Sequence, residues 1–456
     1  MDLQPGITIL QGANGLGKTN IVEAIEVIST GSSHRASSSL PLVQRGERSA
    51  TIRLNVEETN QQAQETVTLE ATITTRGANR ARINGGSSRY MRDIIGRVPS
   101  VSFTPEDQQL VMGDPAVRRS FLNQTAAQVI PGYAERLQTF THIAKQRAAL
   151  LKQINQRRQN GESVDAALSG LEIWTGQFIE AGIAITQDRE RIINRLSMPF
   201  AQLYDQLSDS SDEDAAGLRY QPSFEEVMCD DSAASLISEH FQRIYPGEVA
   251  RGINLIGPQR DDMTLTLHDM PAREFASNGE MWTLALALKM AVYSLLSDVH
   301  DMKPVVILDD VFAQLDESRR AQILRFAADQ DQVLITVAAD SDIPVDIPIG
   351  ISVLPQSVFD SHERGSHAEQ HIHEEQDSQD LRSLSGEKPM HTHVHRIDVA
   401  ALKHEMDEFM NPTIGKYLEG SMTAVTSIET SAATPAVTPS ATLATTAPTA
   451  KVQHHA

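Results

Sequence analysis

One stretch near the start of the chain, Gly12-Ala13-Asn14-Gly15-Leu16-Gly17-Lys18-Thr19, constrains the fold more than any other feature. It fits the pattern Gly-x4-Gly-Lys-Thr, and its surroundings fit as well. The apolar run Ile7-Thr8-Ile9-Leu10 predicts a buried strand before it, and Ile21, Ala24, Ile25 and Ile28 predict one face of a helix after it. Glycines let a backbone close around an anion, and the amides at the following helix N-terminus point at phosphate. Lys18 adds a point charge for the outer phosphates, and the Thr19 hydroxyl is placed to ligate magnesium. A Gly-rich turn that matched by chance would not bring strand, loop, Lys-Thr pair and helix together. The stretch reads as a nucleoside triphosphate site.

Such a site needs a second half, a buried strand ending in a carboxylate. Pro304-Val305-Val306-Ile307-Leu308-Asp309-Asp310 supplies it. Four apolar residues in a row suit a parallel strand covered on both faces. Asp309, at the C-terminal end of the strand, is predicted to lie beside the phosphates and hold magnesium, and Asp310 to polarise an attacking water. Nearly three hundred residues separate Lys18 from Asp309, so the nucleotide domain is split by a large insertion. Before the second motif, Ser277-Asn278-Gly279-Glu280 opens a helix carrying Leu284, Leu286, Leu288, Ala291 and Leu295. Ser-x-Gly at a helix start is a further anion-facing arrangement. Two phosphate-facing helix starts in one chain predict a two-subunit sandwich, each subunit completing the other's site. Ala313-Gln314-Leu315-Asp316 then continues as an interface loop.

These segments resemble the ABC-type ATPase heads of SMC-like DNA repair proteins. Three further stretches narrow the resemblance to the RecF family: Phe103-Thr104-Pro105-Glu106-Asp107 with Gly113-Asp114-Pro115 and Arg118-Arg119; Gly257-Pro258-Gln259-Arg260-Asp261-Asp262; and Thr283-Leu284-Ala285-Leu286-Ala287-Leu288-Lys289. It covers roughly the first 350 residues. The resemblance implies a protein that binds ATP, dimerises head to head around it, binds single-stranded and gapped duplex DNA, and works with RecO and RecR to place RecA on gapped DNA. Carried over, Lys18 and Thr19 contact phosphate and magnesium, while Gly12, Ala13, Asn14, Gly15, Leu16, Gly17 and Asn20 belong to the loop and its helix. Asp309 is the metal-shell carboxylate, Asp310 stands where the hydrolytic base belongs, Ser277 and Gly279 reach the partner subunit's ATP, and Asp316 lies at the dimer contact.

The chain departs from the family pattern in two places. The family begins about one strand earlier, whereas Met1 is only about a dozen residues from the phosphate loop. Either the start is misassigned or the head lacks an edge strand and exposes an unpaired neighbour. The signature segment has Glu280 and Trp282 where the family prefers Gln and, soon after, Arg. An acid there repels a partner's triphosphate, which predicts impaired ATP-driven dimerisation or turnover. Two alternatives therefore stand beside an active ATPase: an ATP-sensing DNA clamp whose hydrolysis has decayed, and a P-loop small-molecule kinase.

Composition matters chiefly for partners and compartment. A lone cysteine, Cys229, excludes an internal disulfide framework and suits the cytoplasm. No leader and no uninterrupted membrane-crossing span is expected, since even the apolar helix at Thr283 contains Lys289. The net charge of −21 is awkward for a DNA binder, because duplex affinity rests on Lys and Arg displacing counterions. Acid is concentrated locally, as at Asp209–Asp214. Between Arg76 and Arg97 the balance reverses: Arg76, Arg80, Arg82, Arg89, Arg92 and Arg97 face only Asp93, around a hairpin turn at Arg82-Ile83-Asn84-Gly85-Gly86. That hairpin is either a phosphate-contacting surface or a solvated Arg-rich edge that discourages strand pairing. Lys145, Arg147, Lys152, Arg157 and Arg158 form a second basic run, of the kind more often found as a solvated helix face.

The expected fold class is α/β: an ABC-type P-loop ATPase head split by a compact helical arm and followed by a disordered tail. The first half of the head spans 1–114, with strands at Ala50–Val56 and Val67–Ile73. The arm spans 115–248, with helical periodicity at Tyr133, Leu137, Phe140 and Ala144, and later at Ile173, Phe178, Ile185, Ile192, Ile193 and Leu196. The second half of the head spans 249–354, with a buried strand at Val333–Val337. From 355 to 456 the chain is rich in His, Glu, Ser, Thr, Ala and Pro and too poor in apolar residues to offset chain ordering. The histidines at 367, 371, 373, 391, 393 and 395 suggest adventitious metal binding rather than a built site, and Asp398–Leu418 a short amphipathic helix.

Overall fold

The computed structural model describes residues 1–338, apart from 2, 36–37, 61–62, 209–214 and 229–231, together with residues 394–398. In chain order the elements are β1 (Gly6–Gln11), α1 (Lys18–Thr30), β2 (Ser49–Asn60), β3 (Ala63–Thr74), β4 (Arg80–Ile83), β5 (Arg89–Tyr90), β6 (Ser100–Phe103), α2 (Gln109–Met112), α3 (Pro115–Val129), α4 (Tyr133–Gln159) and α5 (Asp165–Ser208). There follow β7 (Ala216–Gln221), α6 (Ala233–Arg251), β8 (Asp262–Leu267), β9 (Met270–Pro271), α7 (Ala272–Phe275), α8 (Asn278–His300), β10 (Val305–Asp309), α9 (Glu317–Ala328), β11 (Gln332–Val337) and β12 (Val394–Asp398).

Both halves of the nucleotide motif converge in a five-stranded sheet of order β12-β1-β11-β10-β6, every pair of which is parallel. Continuous apolar runs suit strands covered on both faces: Ile7, Ile9 and Leu10 of β1 and Val306, Ile307 and Leu308 of β10 are all buried. A separate antiparallel sheet, β2-β3-β4-β5, carries the Arg-rich hairpin, and its turn places Asn84 and Gly85 at positive φ of 50° and 66°. That backbone twist matches the right-handed twist of the flanking strands, and Asn-Gly tolerates it best.

The insertion is mainly helical, built on α3 to α6, but β7 lies within it and pairs antiparallel with β8 on the far side of the expected boundary. Insert and head share one core, in which Phe178, Ile185, Leu196 and Phe200 of α5 pack with Ile7, Val101, Leu308 and the leucines of α8. Ile173, read as part of the buried face of α5, is 65% exposed. Helix α8 is long and apolar enough to cross a membrane, but 67% of its apolar window is buried within the fold. Its Lys289 donates to the Ser102 carbonyl at 2.8 Å and pairs with Asp107 at 3.1 Å.

Within the tail, read from sequence as disordered apart from a short helix from Asp398, Val394–Asp398 forms a strand alongside β1. For the same reason β1 has partners on both sides. The remainder of that tail, including His367, His371, His373, His391, His393 and the helix expected beyond Asp398, lies outside the described residues, as do Cys229 and the 209–214 run.

Candidate nucleotide site

The loop between β1 and α1 depends on backbone freedom more than on space. Gly15 and Gly17 have φ of 85° and 100°, and a Cβ added at either would meet no atom within 3.4 Å. Glycine is needed there for left-handed backbone, which L side chains resist. Ala13, Asn14 and Gly15 are exposed along the rim, with Gly12 behind them, and Leu16 packs onto the apolar cluster of Leu10, Val22, Ile25, Ile307 and Leu334. Asn20 is exposed on the first turn of α1. The Lys18 ammonium is held inside the loop, donating to the carbonyls of Gly12 at 2.5 Å and Ala13 at 3.2 Å.

Strand β10 delivers Asp309 to the same place. Thr19 Oγ1 donates to Asp309 Oδ1 at 3.2 Å, across 290 positions of sequence. Two cis ligands of a magnesium octahedron with bonds of about 2.1 Å lie about 3 Å apart, and both atoms are hard oxygen donors. The pair thus fits magnesium when phosphates and water supply the remaining positions. Thr336 of β11 completes the arrangement: its hydroxyl donates to Asp309 Oδ1 at 2.6 Å and accepts the Asp310 amide at 2.9 Å. Asp310 is exposed, at a positive φ of 54°. Thr336 was missed from sequence, where its signal was a single polar residue inside the run Val333-Leu-Ile-Thr-Val337.

Ser277, Gly279 and Asp316 gather in a second group. Ser277 caps α8: its hydroxyl accepts the Glu280 amide at 3.3 Å, and its own amide donates to Glu280 Oε2 at 2.7 Å. This is a capping box, which the spacing Ser277-x-x-Glu280 encodes directly. The hydrogen bonds from Ser277 hold the Glu280 carboxyl below the ordinary carboxylate range. Trp282 is partly buried against the main core. Arg319 of α9 joins this group, pairing with Asp316 and lying where a Cβ on Gly279 would meet its guanidinium at 2.7 Å. Gln108 ties the start of α8 back to the end of β6 by donating to the Asn278 carbonyl at 3.3 Å.

The remaining stretches that carry the family resemblance hold the insertion to the head. Arg118 grips Asp262 with two bonds of 2.6 and 2.9 Å, and Arg119 donates to the Asp261 carbonyl at 2.8 Å. Asp261 itself is fully buried and accepts from Arg189, Tyr220 and the Ser223 amide.

Among the basic candidates the structure separates surface from core. Arg76, Arg80, Arg82 and Arg89 are exposed. Tyr90 lies between Arg80 and Arg92, whose guanidinium carbons stand 4.5 and 4.3 Å from its ring centre. Carboxylates beyond Asp93 also face this patch: Glu70 lies 3.9 Å from Arg82, and Glu135 lies 3.4 Å from Arg92. Arg147 is not on a basic surface. It is buried, bonded to Glu248, Asn254 and Thr175, and stacked over Phe241 at 4.4 Å. A cavity of about 560 Å³ lined by Arg92, Arg97, Gln128 and His300 shares no residue with the phosphate loop.

A split parallel sheet with a phosphate loop, a carboxylate strand and a capped signature helix is the head of an SMC-like ABC-type ATPase. The family model described as the RecF/RecN/SMC N terminal domain matches residues 1–344. The chain is 65% identical over 350 residues to the DNA replication and repair protein RecF of Bifidobacterium adolescentis, covering 75% of this chain and 84% of that protein. It is 63% identical over 344 residues to the protein of the same name from Bifidobacterium longum subsp. infantis, covering 75% and 82%. Among solved structures, that of the recombination mediator protein RecF-ATPrS in the RecFOR pathway aligns with a TM-score of 0.66 at 25% identity, covering 75% of this chain and 89% of that one. The chain belongs to the RecF family.

Proposed function

We propose that this chain is an ATP-dependent DNA-binding protein of RecF type, acting in the cytoplasm in recombinational and replication-gap repair. The observation that carries the reading is the meeting of Lys18, Thr19, Asp309 and Thr336 at one loop, in a chain 65% identical to a DNA replication and repair protein RecF. ATP binds with its outer phosphates against Lys18 and the amides of the loop. Magnesium, held by Thr19 and Asp309, neutralises phosphate charge. Asp310 orients the attacking water, and Ser277 and Gly279, with Asp316 beside them, approach the ATP of a second copy. DNA, single-stranded or gapped duplex, lies across the exposed Arg76, Arg80, Arg82 and Arg89 and the half-buried Arg92. RecO and RecR are the protein partners in loading RecA.

The test titrates the full chain against gapped duplex DNA with and without ATP-magnesium, at two salt concentrations, beside Lys18→Ala. Tighter binding with ATP that Lys18→Ala abolishes is the expected result, with affinity falling steeply as salt rises. DNA binding that ignores ATP would refute the ATP-dependent reading, and no DNA binding by the folded protein would refute the repair role.

Glu280 gives a second expected outcome. Glutamine can fill the same capping-box position, so Glu280→Gln should leave the melting temperature nearly unchanged. It removes the negative charge beside the partner's triphosphate, and ATP-dependent dimerisation, followed by light scattering, should strengthen. Its effect on stability has a defined pH sense. The carboxyl is depressed in the fold, so its contribution is present above the ordinary carboxylate range and is lost as pH falls through the depressed value. Glu280→Gln should lack that dependence.

A further inference from the structure

We infer that Val394–Asp398 is an integral edge strand of the nucleotide site, bracing the strand that feeds the phosphate loop. The inference rests on the ATP reading above and adds to that site a segment hundreds of residues from Lys18. The register is continuous, from Ile7 opposite Val394 to Gln11 opposite Asp398. Gln11 is the last residue of β1, and Gly12 opens the loop. The pairing therefore runs up to the residue at which phosphate binding begins.

Physical reasons favour this partner. Strand β1 is buried from Gly6 to Leu10, with Ile7 and Leu10 at 0% exposure. A bare edge of that kind would recruit other chains. Adding a parallel strand requires a connection of a dozen or more residues, and the sequence between Val337 and Val394 is longer than that. The sequence Val394-His395-Arg396-Ile397-Asp398 also suits an outermost position, since charged residues on an edge discourage further pairing.

The ladder predicts which amides report on this contact. Gly6 and Gly12 donate to Asp331 and Val337, on the β11 side. Alternation in a parallel ladder then turns Thr8 and Leu10 toward β11 and turns Ile9 and Gln11 toward β12. On the other strand it turns the amides of His395 and Ile397 toward β1 and that of Arg396 outward. One flank of the loop's stem is thus held by β11 and the other by β12. Losing the second leaves the loop in its binding geometry for a smaller fraction of the time.

The experiment is residue-resolved hydrogen exchange on the full chain, paired with titration of a fluorescent ATP analogue in magnesium. In the unsubstituted protein, Ile9 and Gln11 should be protected about as well as Thr8 and Leu10. In His395→Pro combined with Ile397→Pro, Ile9 and Gln11 should lose protection while Thr8 and Leu10 keep theirs. ATP affinity should fall about tenfold, the factor expected when the competent loop drops to about a tenth of the population. Arg396→Pro removes only an outward amide and should leave both readouts unchanged. Rapid exchange at Ile9 and Gln11 in the unsubstituted chain would overturn the pairing, and is read first, so a double variant that does not fold still leaves that point decided. Release of those amides with unchanged ATP affinity would overturn the bracing. An unsubstituted chain that shows the protected pattern but binds no ATP would instead sink the ATP reading, and the nucleotide half of this inference with it.

Discussion

Asp261→Ala is expected to destabilise the protein by about 3–5 kcal/mol, the usual consequence of leaving one member of a buried ion pair uncompensated. Asp261 and Arg189 are both buried, and their contact is 2.7 Å. The same carboxylate accepts from the Tyr220 hydroxyl at 2.5 Å and the Ser223 amide at 2.8 Å. Alanine would remove the acceptor from three donors at once. Burial, and then the charge of Asp261, raise the Tyr220 hydroxyl above its usual range, so that donor cannot adapt by ionising. Arg189 keeps the carbonyl of Pro258 and Asn123 Oδ1, at 2.7 and 2.9 Å, but these are neutral acceptors.

The location magnifies the effect. Arg189 lies on α5, Tyr220 on β7 and Asp261 immediately before β8, so the cluster joins the insertion to the head. Denaturant unfolding should show a lowered midpoint, measured against Arg191→Ala as control. Arg191 is exposed and shares Asp188 with Arg136, so its loss should cost less than about 1 kcal/mol. Equal stability of Asp261→Ala and the parent would show that the pair contributes nothing net.

What could be read from sequence followed from how local each signal was. The phosphate loop, the Val305–Asp309 strand and the faces of α5 and α8 rest on short spacings, and each lies where the pattern places it except at Ile173 of α5, which is exposed. Distant partners were not legible. Arg147 belongs to a visibly basic run, yet Glu248, 101 positions away, draws it into the core. Arg82 and Arg92 look unopposed until the fold brings up Glu70 and Glu135. Glu280 carries two signals of different reach: its capping box is written in four consecutive residues, Ser277 to Glu280, whereas its charge beside a second copy's nucleotide is an expectation that only comparison with a family preference raises. Strand β12 was hidden because five residues in a polar tail carry no periodic signal, and the register that identifies it is made by backbone.

Asp310→Asn is expected to slow ATP turnover by about a hundredfold to ten-thousandfold, the usual range for removing a positioned general base. Asparagine is the informative replacement because residue 310 has a φ of 54°. Asn tolerates left-handed backbone far better than Ala, so the loop geometry should persist. The 2.9 Å bond from the residue 310 amide to Thr336 is independent of the side chain, and Asp309 keeps its own bond from Thr336. Magnesium and ATP binding should therefore survive, and a chain that binds but does not cleave should accumulate as the ATP-bound dimer. Phosphate release and nucleotide affinity, measured side by side, decide the matter. A parallel loss of affinity would place Asp310 in nucleotide binding instead. Unchanged turnover, or parent turnover already at background, would mean that Asp310 is not acting as a base in this chain, leaving an ATP-sensing clamp in which nucleotide binding alone drives assembly.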